Sequence, residues 1–106
     1  MMKLFWTREA LLRLQEIEEY ISRDNAVAAS EFVDKLISLA ETIVDHPEKG
    51  RIVPELSIEN IRELLHRNYR IVYLVKKKSV DILTVFEGHQ LLKHDEILKG
   101  KTKDRI

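Results

Sequence analysis

Residues 68–75 read Asn-Tyr-Arg-Ile-Val-Tyr-Leu-Val, and residues 80–86 read Val-Asp-Ile-Leu-Thr-Val-Phe. Both runs are rich in β-branched and aromatic residues, which favour β-strands. The first run is apolar from Ile71 to Val75 apart from the hydroxyl group of Tyr73, so both of its faces are expected to be covered. The four residues between the runs are short enough for a hairpin connection. The pattern predicts a central sheet strand with helices packed against it, followed by its hairpin partner.

The first half of the chain is predicted to supply one short strand and two amphipathic helices. Residues 3–6 are largely apolar, and Thr7 is a good N-cap. Two helices should follow, one ending near residues 23–25 and one spanning about 26–46, because Pro47 disfavours further helix. Only two or three residues join them, so they must pack as an antiparallel hairpin. The apolar stripes that predict them are Ala10, Leu14, Ile17 and Ile21, then Ala29, Phe32, Val33, Leu36, Ala40 and Ile43.

The second half is predicted to complete the sheet. Residues 47–60 hold both prolines and one glycine and are expected to form a surface loop. Residues 61–65 are a plausible strand, and residues 66–68 a turn into the central strand. A short last helix over residues 91–99 and a polar tail over 101–106 should follow. The resulting order, β-α-α-β-β-β, defines one α+β domain over residues 1–100: a two-layer fold with a helical hairpin on a mainly antiparallel sheet, and strand 1 at an edge.

The composition restricts the classes of function. The chain has 106 residues, which suffice for one core, and its 44% hydrophobic and 34% charged residues are typical of a soluble globular protein. No apolar run can cross a bilayer and no signal peptide precedes Lys3, so a cytoplasmic location is expected. The absence of cysteine excludes disulfides and thiol catalysis. No glycine-rich phosphate loop and no metal-ligand histidine spacing is present, so no cofactor or metal is expected.

The charges are unevenly distributed although the net charge is zero. Residues 7–46 hold 4 basic and 9 acidic side chains, whereas residues 47–106 hold 13 basic and 9 acidic ones. This asymmetry permits contact with phosphate or with an acidic partner near the sheet. It is weaker than the basic stripe of a dedicated nucleic-acid-binding protein.

Five basic side chains on or beside the last three strands are candidates for chemistry: Arg62, His66, Arg67, Arg70 and His89. Guanidinium groups can bind phosphates with two parallel hydrogen bonds. A histidine can transfer protons near neutral pH. Together they would form an acid–base or phosphate-binding cluster.

Each of these residues also has a structural interpretation. Arg62 or Arg70 can pair with a carboxylate such as Glu63 or Glu55 at a strand end. Arg51 lies in the most distinctive loop and either faces a partner or holds that loop by binding backbone carbonyls or Glu63. The structural role is favoured for Arg51.

The element order and four short motifs together resemble the RelE/ParE superfamily of bacterial and archaeal type II toxins. The motifs are Gly-Arg-Ile-Val-Pro-Glu-Leu at 50–56, Ile-Arg-Glu-Leu at 61–64, Asn-Tyr-Arg-Ile-Val-Tyr at 68–73 and Val-Phe-Glu-Gly-His-Gln-Leu-Leu at 85–92. The resemblance covers nearly the whole chain. It implies a toxin that is neutralised by an antitoxin encoded beside it and that can form a hetero-oligomer with it. An amphipathic helix or strand of the antitoxin would enter a groove between the helical hairpin and the sheet.

RelE-like members of the superfamily cleave mRNA in the ribosome without a metal. They use basic residues on strand 2, an arginine on strand 3 and further groups near the C-terminus. Under this resemblance Arg70 matches the strand-3 arginine, Arg62 stands in on strand 2, and His89 is the candidate acid or base. The chain departs from the pattern after strand 4, where His89-Gln90 replaces an expected arginine.

ParE-like members instead inhibit DNA gyrase by binding to it, and no catalytic residue set is established for them. The Gly-Arg-x-Val-Pro-Glu loop and the Ile-Arg-Glu strand look more ParE-like, and zero net charge is unlike the very basic RNA-cleaving members. The resemblance therefore favours a gyrase inhibitor, with Arg51 and Arg67 as partner-binding residues. The ribonuclease, and an inactive homologue that keeps only antitoxin binding, are the alternatives.

Overall fold

The computed structural model describes residues 2–88, which contain two helices and five strands. The strands form one sheet in the order β1-β5-β4-β3-β2, in which β1 is parallel to β5 and all other pairs are antiparallel. The predicted last helix over 91–99 and the tail over 101–106 lie outside the described residues. The elements are β1 (Lys3–Trp6), α1 (Arg8–Ser22), α2 (Ala26–Ile43), β2 (Arg51–Ile52), β3 (Ile61–His66), β4 (Tyr69–Val75) and β5 (Ser79–Glu87).

Side-chain caps begin both helices where the sequence predicts them. The Thr7 hydroxyl accepts a hydrogen bond from the backbone N–H of Ala10 and lies 2.8 Å from the carbonyl oxygen of Ile82, to which it donates. This cap therefore ties the start of α1 to β5. Asn25 accepts from the N–H of Ala28 at 3.0 Å and begins α2 directly after α1 ends. Neither helix within residues 2–88 is long and apolar enough to cross a membrane.

β4 is the central strand, and its two faces are covered by different parts of the chain. The helix-side face packs against α1 and α2 through a large apolar cluster. The opposite face, here the loop-side face, is covered by the loop of residues 53–58 through a smaller cluster. The buried members of the helix-side cluster are Ala10, Leu14, Ile17, Leu36, Ala40, Ile43, Ile71, Tyr73, Val80, Ile82 and Val85, and those of the loop-side cluster are Val53, Ile61, Val72, Leu74, Leu83 and Phe86.

The structure differs from the sequence prediction at three places. α2 ends at Ile43 instead of about residue 46, because the chain tightens into a turn in which the N–H of His46 bonds to the carbonyl of Ile43. The predicted 47–60 loop contains a two-residue edge strand, β2. The turn between β3 and β4 has two residues, Arg67 and Asn68, because His66 pairs with Tyr69 inside the sheet.

Candidate functional site

Arg62 and Arg70, the two arginines that the ribonuclease hypothesis places on one phosphate, lie on opposite faces of the sheet. Arg62 pairs with Tyr73 across β3 and β4, and Leu65 pairs with Arg70. Paired residues of an antiparallel ladder share a face, and neighbours along a strand alternate. Arg70 is therefore on the loop-side face and Arg62 on the helix-side face. The sheet separates the two guanidinium groups, so they do not form one phosphate site within residues 2–88.

Glu63 is the centre of the charged cluster on the loop-side face. Its side chain is fully buried and is bonded by two arginines: Nε of Arg51 lies 2.6 Å from one carboxylate oxygen, and Nη1 of Arg70 lies 3.1 Å from the other. A buried carboxylate is stable only when its charge is compensated in this way. The predicted pairing of Arg51 with Glu63 is thus confirmed, and it fixes edge strand β2 to β3.

Arg70 is also held from the 53–58 loop. Its Nη1 lies 2.7 and 3.0 Å from the two carboxylate oxygens of Glu55, and its side chain is only 14% exposed. The guanidinium carbon lies 5.4 Å from the ring centroid of Phe86, and Nη2 lies 3.5 Å from the carbonyl oxygen of Gly88. The predicted pairing of Arg70 with a carboxylate is confirmed, here with both Glu55 and Glu63. The cluster of two arginines and two glutamates has no net charge.

Arg62 takes part in a separate polar group on the helix-side face. Its Nη1 donates to the carbonyl oxygen of Gly50 at 2.8 Å. The N–H of Gly50 donates to the hydroxyl of buried Tyr73 at 2.8 Å, and that hydroxyl donates to the carbonyl of Pro47 at 2.8 Å. Burial raises the pKa of Tyr73, which keeps the phenol protonated. A Cβ atom at Gly50 would overlap the carbonyl oxygen of Glu63, so only glycine permits this close approach.

The other candidate residues lie at the β3–β4 turn or outside the described range. Arg67 is exposed in the turn, and its φ of 55° is in the left-handed region. The ring centroid of His66 lies 5.7 Å from that of Phe32 on α2. Burial lowers the pKa of His66, and the nearby charges of Arg67 and Lys35 lower it further. His89 lies outside the described residues.

Two grooves border the junction between the helical hairpin and the sheet, where the resemblance predicts a groove. One, of about 300 Å³, runs between α1 and the ends of β4 and β5 and is lined by Tyr20 and Tyr69, among others. The other, of about 410 Å³, lies between the hairpin and the β3–β4 turn. Lys35 and Phe32 line the second groove. The sequence pattern predicted Phe32 only as a core residue of the second helix, because its position in a groove depends on how the β3–β4 turn packs against that helix. Residues 2–88 contain no group of three or more side chains suited to a metal ion.

The family described as "ParE toxin of type II toxin-antitoxin system, parDE" matches residues 4–92. The candidate toxin Y4kP of Sinorhizobium fredii is 34% identical over 90 residues, which cover 83% of this chain and 90% of that protein. Toxin RelE2 of Caulobacter vibrioides is 32% identical over 92 residues, covering 86% of this chain and 100% of that protein. A solved structure titled "Chromosomal ParDE TA system from P. aeruginosa" has a TM-score of 0.69 and 26% identity, and the match covers 82% of this chain and 96% of that one.

Fold and matches agree on the class: a small α+β toxin of a type II toxin–antitoxin system, whose partner is a cognate antitoxin. The chain belongs to the ParE/RelE superfamily, in which the family model that matches it is that of the ParE toxins.

Proposed function

We propose that the protein is a ParE-like toxin that inhibits DNA gyrase by binding to it and that the cognate antitoxin neutralises it. The observation that supports this proposal is the neutralised state of Arg70. Its guanidinium group is bonded to Glu55 and Glu63, and Arg62 lies on the far face of the sheet. A protein that acts by binding needs no assembled catalytic groups, so the pairing of Arg70 and its separation from Arg62 are compatible with this function. Gyrase acts on chromosomal DNA, so the proposal places the toxin in the cytoplasm.

Cleavage of RNA makes a different demand on the same residues. The site must activate a ribose 2′-hydroxyl, stabilise the charge of the phosphorane and protonate the leaving 5′-oxygen. For that, Arg70 would have to exchange two carboxylates for a phosphate, and Arg62 would have to leave the carbonyl of Gly50. In a ribonuclease, breaking these ion pairs and hydrogen bonds would therefore cost free energy before the chemical step.

The RelE-like alternative rests on one specific observation. Toxin RelE2 of Caulobacter vibrioides is matched along its whole length. Under this alternative the protein would be a ribosome-dependent, metal-independent mRNA endoribonuclease with Arg62, Arg70 and His89 as its catalytic residues. The third alternative is an inactive homologue that keeps antitoxin binding alone.

Two reactions with one toxin preparation test the proposal. Purified toxin is added to gyrase with relaxed plasmid and ATP, and to a cell-free translation reaction programmed with a defined mRNA. We expect supercoiling to be lost, translation to continue, and prior addition of antitoxin to restore supercoiling. Arrest of translation with mRNA cut within codons, while gyrase stays active, would overturn the proposal in favour of the ribonuclease. If neither reaction is affected, the proposal also fails and the inactive homologue is supported.

A further inference from the structure

The loop-side face of the sheet has an open notch beside the β3–β4 turn, here named the arginine notch. It has a volume of about 230 Å³, and its lining includes Arg51, Leu65, Arg67 and Arg70. Leu65 pairs with Arg70 across β3 and β4, so these two residues share the loop-side face. Leu65 lies outside the apolar cluster that the 53–58 loop covers, and it is 51% exposed. The notch is therefore a part of this face that the described chain leaves open.

Two of these arginines keep hydrogen-bond donors that the rest of the described chain does not use. Arg51 pairs with Glu63 across β2 and β3 and bonds its buried carboxylate through Nε, at 2.6 Å. The two terminal nitrogens of Arg51 have no bonded partner among the described residues, and its side chain is 56% exposed. Arg67 is exposed and forms neither a hydrogen bond nor an ion pair within residues 2–88. Because a guanidinium group has five N–H donors, Arg51 can bind a second anion without releasing Glu63.

The charge of the arginine notch suits one carboxylate. No aspartate or glutamate of the described chain lines it. Glu55 and Glu63, which bond Arg70 and Arg51, compensate two of the three guanidinium groups and leave a formal charge of +1. Exposed Leu65 lies among these charges, and arginine beside apolar surface is typical of protein interfaces. These features indicate an acidic segment of a protein as the ligand.

A nucleic acid fits the arginine notch less well. Every nucleotide brings a phosphate, whereas the notch has one uncompensated positive charge and the chain has a net charge of zero. Tyr69 also lines the notch, but its ring packs edge-on against Phe32, with the ring centroids 5.2 Å apart. The ring is therefore poorly placed to stack on a base.

The fold positions both arginines before a ligand arrives. The φ of Arg67 is 55°, in a two-residue turn where glycine is the usual residue at positive φ. Non-glycine residues in this disfavoured region are often found at binding sites. Arg51 is held by its bond to Glu63. Side chains that are already ordered lose less entropy when a partner binds.

We propose that the arginine notch binds the target of the toxin: a carboxylate of an acidic surface segment lies between Arg51 and Arg67, and an apolar side chain of that segment packs on Leu65. This inference rests on the proposed function, under which the target is DNA gyrase. The apolar contact excludes water from the ion pairs and so strengthens them. Arg70 stays bonded to its two carboxylates and contributes only its charge.

The test measures the affinity of purified toxin variants for gyrase by surface plasmon resonance. Leu65→Glu places a carboxylate of the chain itself in the notch and should weaken binding at least about tenfold. Its matched control, Leu65→Gln, has the same shape without the charge and should weaken binding less than about threefold. Arg67→Glu, at a residue with no bond in the described chain, should also weaken binding at least about tenfold. Its control, Lys77→Glu, reverses an exposed charge beyond the other end of β4 and should change affinity less than about twofold.

The outcomes separate this inference from the proposed function. If the wild type binds gyrase and Arg67→Glu binds equally well, the notch is not the contact, whereas the proposed function stands. If Lys77→Glu loses as much affinity as Arg67→Glu, only long-range attraction is involved and the inference is wrong. If the wild type does not bind gyrase at all, both proposals fail. Melting temperatures show which variants are folded, and Arg67→Glu decides alone if Leu65→Glu is not.

A parallel measurement with a labelled single-stranded RNA oligonucleotide examines the other class of ligand. We expect no binding by the wild type. Binding that Arg67→Glu abolishes, while gyrase affinity is retained, would assign the arginine notch to nucleic acid and overturn the inference.

Discussion

The two faces of the sheet are stabilised by different interactions, one mainly by apolar burial and the other partly by ion pairs. The helix-side face buries a large apolar cluster under two helices, and its central polar group is the hydroxyl of Tyr73. The loop-side face is covered by the 53–58 loop, which contributes few apolar side chains, and by the ion pairs around buried Glu63. A six-residue loop cannot bury as much apolar surface as a helical hairpin, so charge pairing supplies part of what holds it.

This contrast explains the structural role of Arg70 on the loop-side face. Arg70 reaches from β4 to Glu55 in the covering loop and to Glu63 in β3, so it links the loop to the sheet. Arg62, on the other face, bonds a backbone carbonyl next to Tyr73. The same residue type therefore has two different structural roles, and neither leaves its guanidinium group free.

The largest expected effect comes from removing the central charge of the loop-side face. Glu63→Gln leaves Arg70, whose side chain is 14% exposed, without its buried partner and should lower the free energy of unfolding by about 3 kcal/mol. The matched control, Glu9→Gln, breaks a partly exposed pair with Arg13 and should cost less than about 1 kcal/mol. Urea denaturation measures both. Equal losses would show that the loop-side face does not depend on its ion pairs.

The corresponding change on the helix-side face should cost less. Tyr73→Phe leaves the N–H of Gly50 and the carbonyl of Pro47 without their shared partner, which should lower the free energy of unfolding by about 2 kcal/mol. Tyr20→Phe is the control, because Tyr20 is 66% exposed and its hydroxyl is solvated; we expect no measurable change. Thermal unfolding of the two variants measures both changes in stability. A Tyr73→Phe protein as stable as the control would mean that solvent replaces these bonds.

The sequence was sufficient to predict most of the fold, but it did not predict on which face of the sheet Arg62 and Arg70 lie. Alternating and apolar runs located β3, β4 and β5 because burial imposes period-2 patterns, and helical periodicity located α1 and α2. β2 was missed because two exposed residues carry no pattern. The opposite charges of the side chains predicted that arginines pair with Glu63. The separation of Arg62 from Arg70 was not predicted, because it depends on the length of the β3–β4 turn. A turn one residue longer would shift the register and move one arginine to the other face.

Arg62→Ala should have a smaller effect on stability and should distinguish the two mechanisms. Loss of its bond to the carbonyl of Gly50 should cost about 1 kcal/mol. If the toxin acts by binding gyrase, growth arrest on induction should be undiminished. Lys49→Ala, which removes an exposed bond to Thr42, is the control for stability and toxicity. A stable Arg62→Ala protein that no longer arrests growth would instead favour the ribonuclease and would require Arg62 to move on binding RNA.

The smallest expected effect is at the turn that sets the register between the faces. Arg67→Gly relieves a left-handed backbone that costs an L-residue about 1–2 kcal/mol, but it adds about 0.5–1 kcal/mol of chain entropy to the unfolded state. The two nearly cancel, so the variant should be as stable as the wild type or up to about 1 kcal/mol more stable. Lys77→Gly, at an exposed residue whose φ is not positive, should instead lose about 0.5 kcal/mol. If Arg67→Gly is the more destabilised of the two, the side chain of Arg67 contributes to the fold itself. In that case its guanidinium group would help to keep β3 and β4 in register.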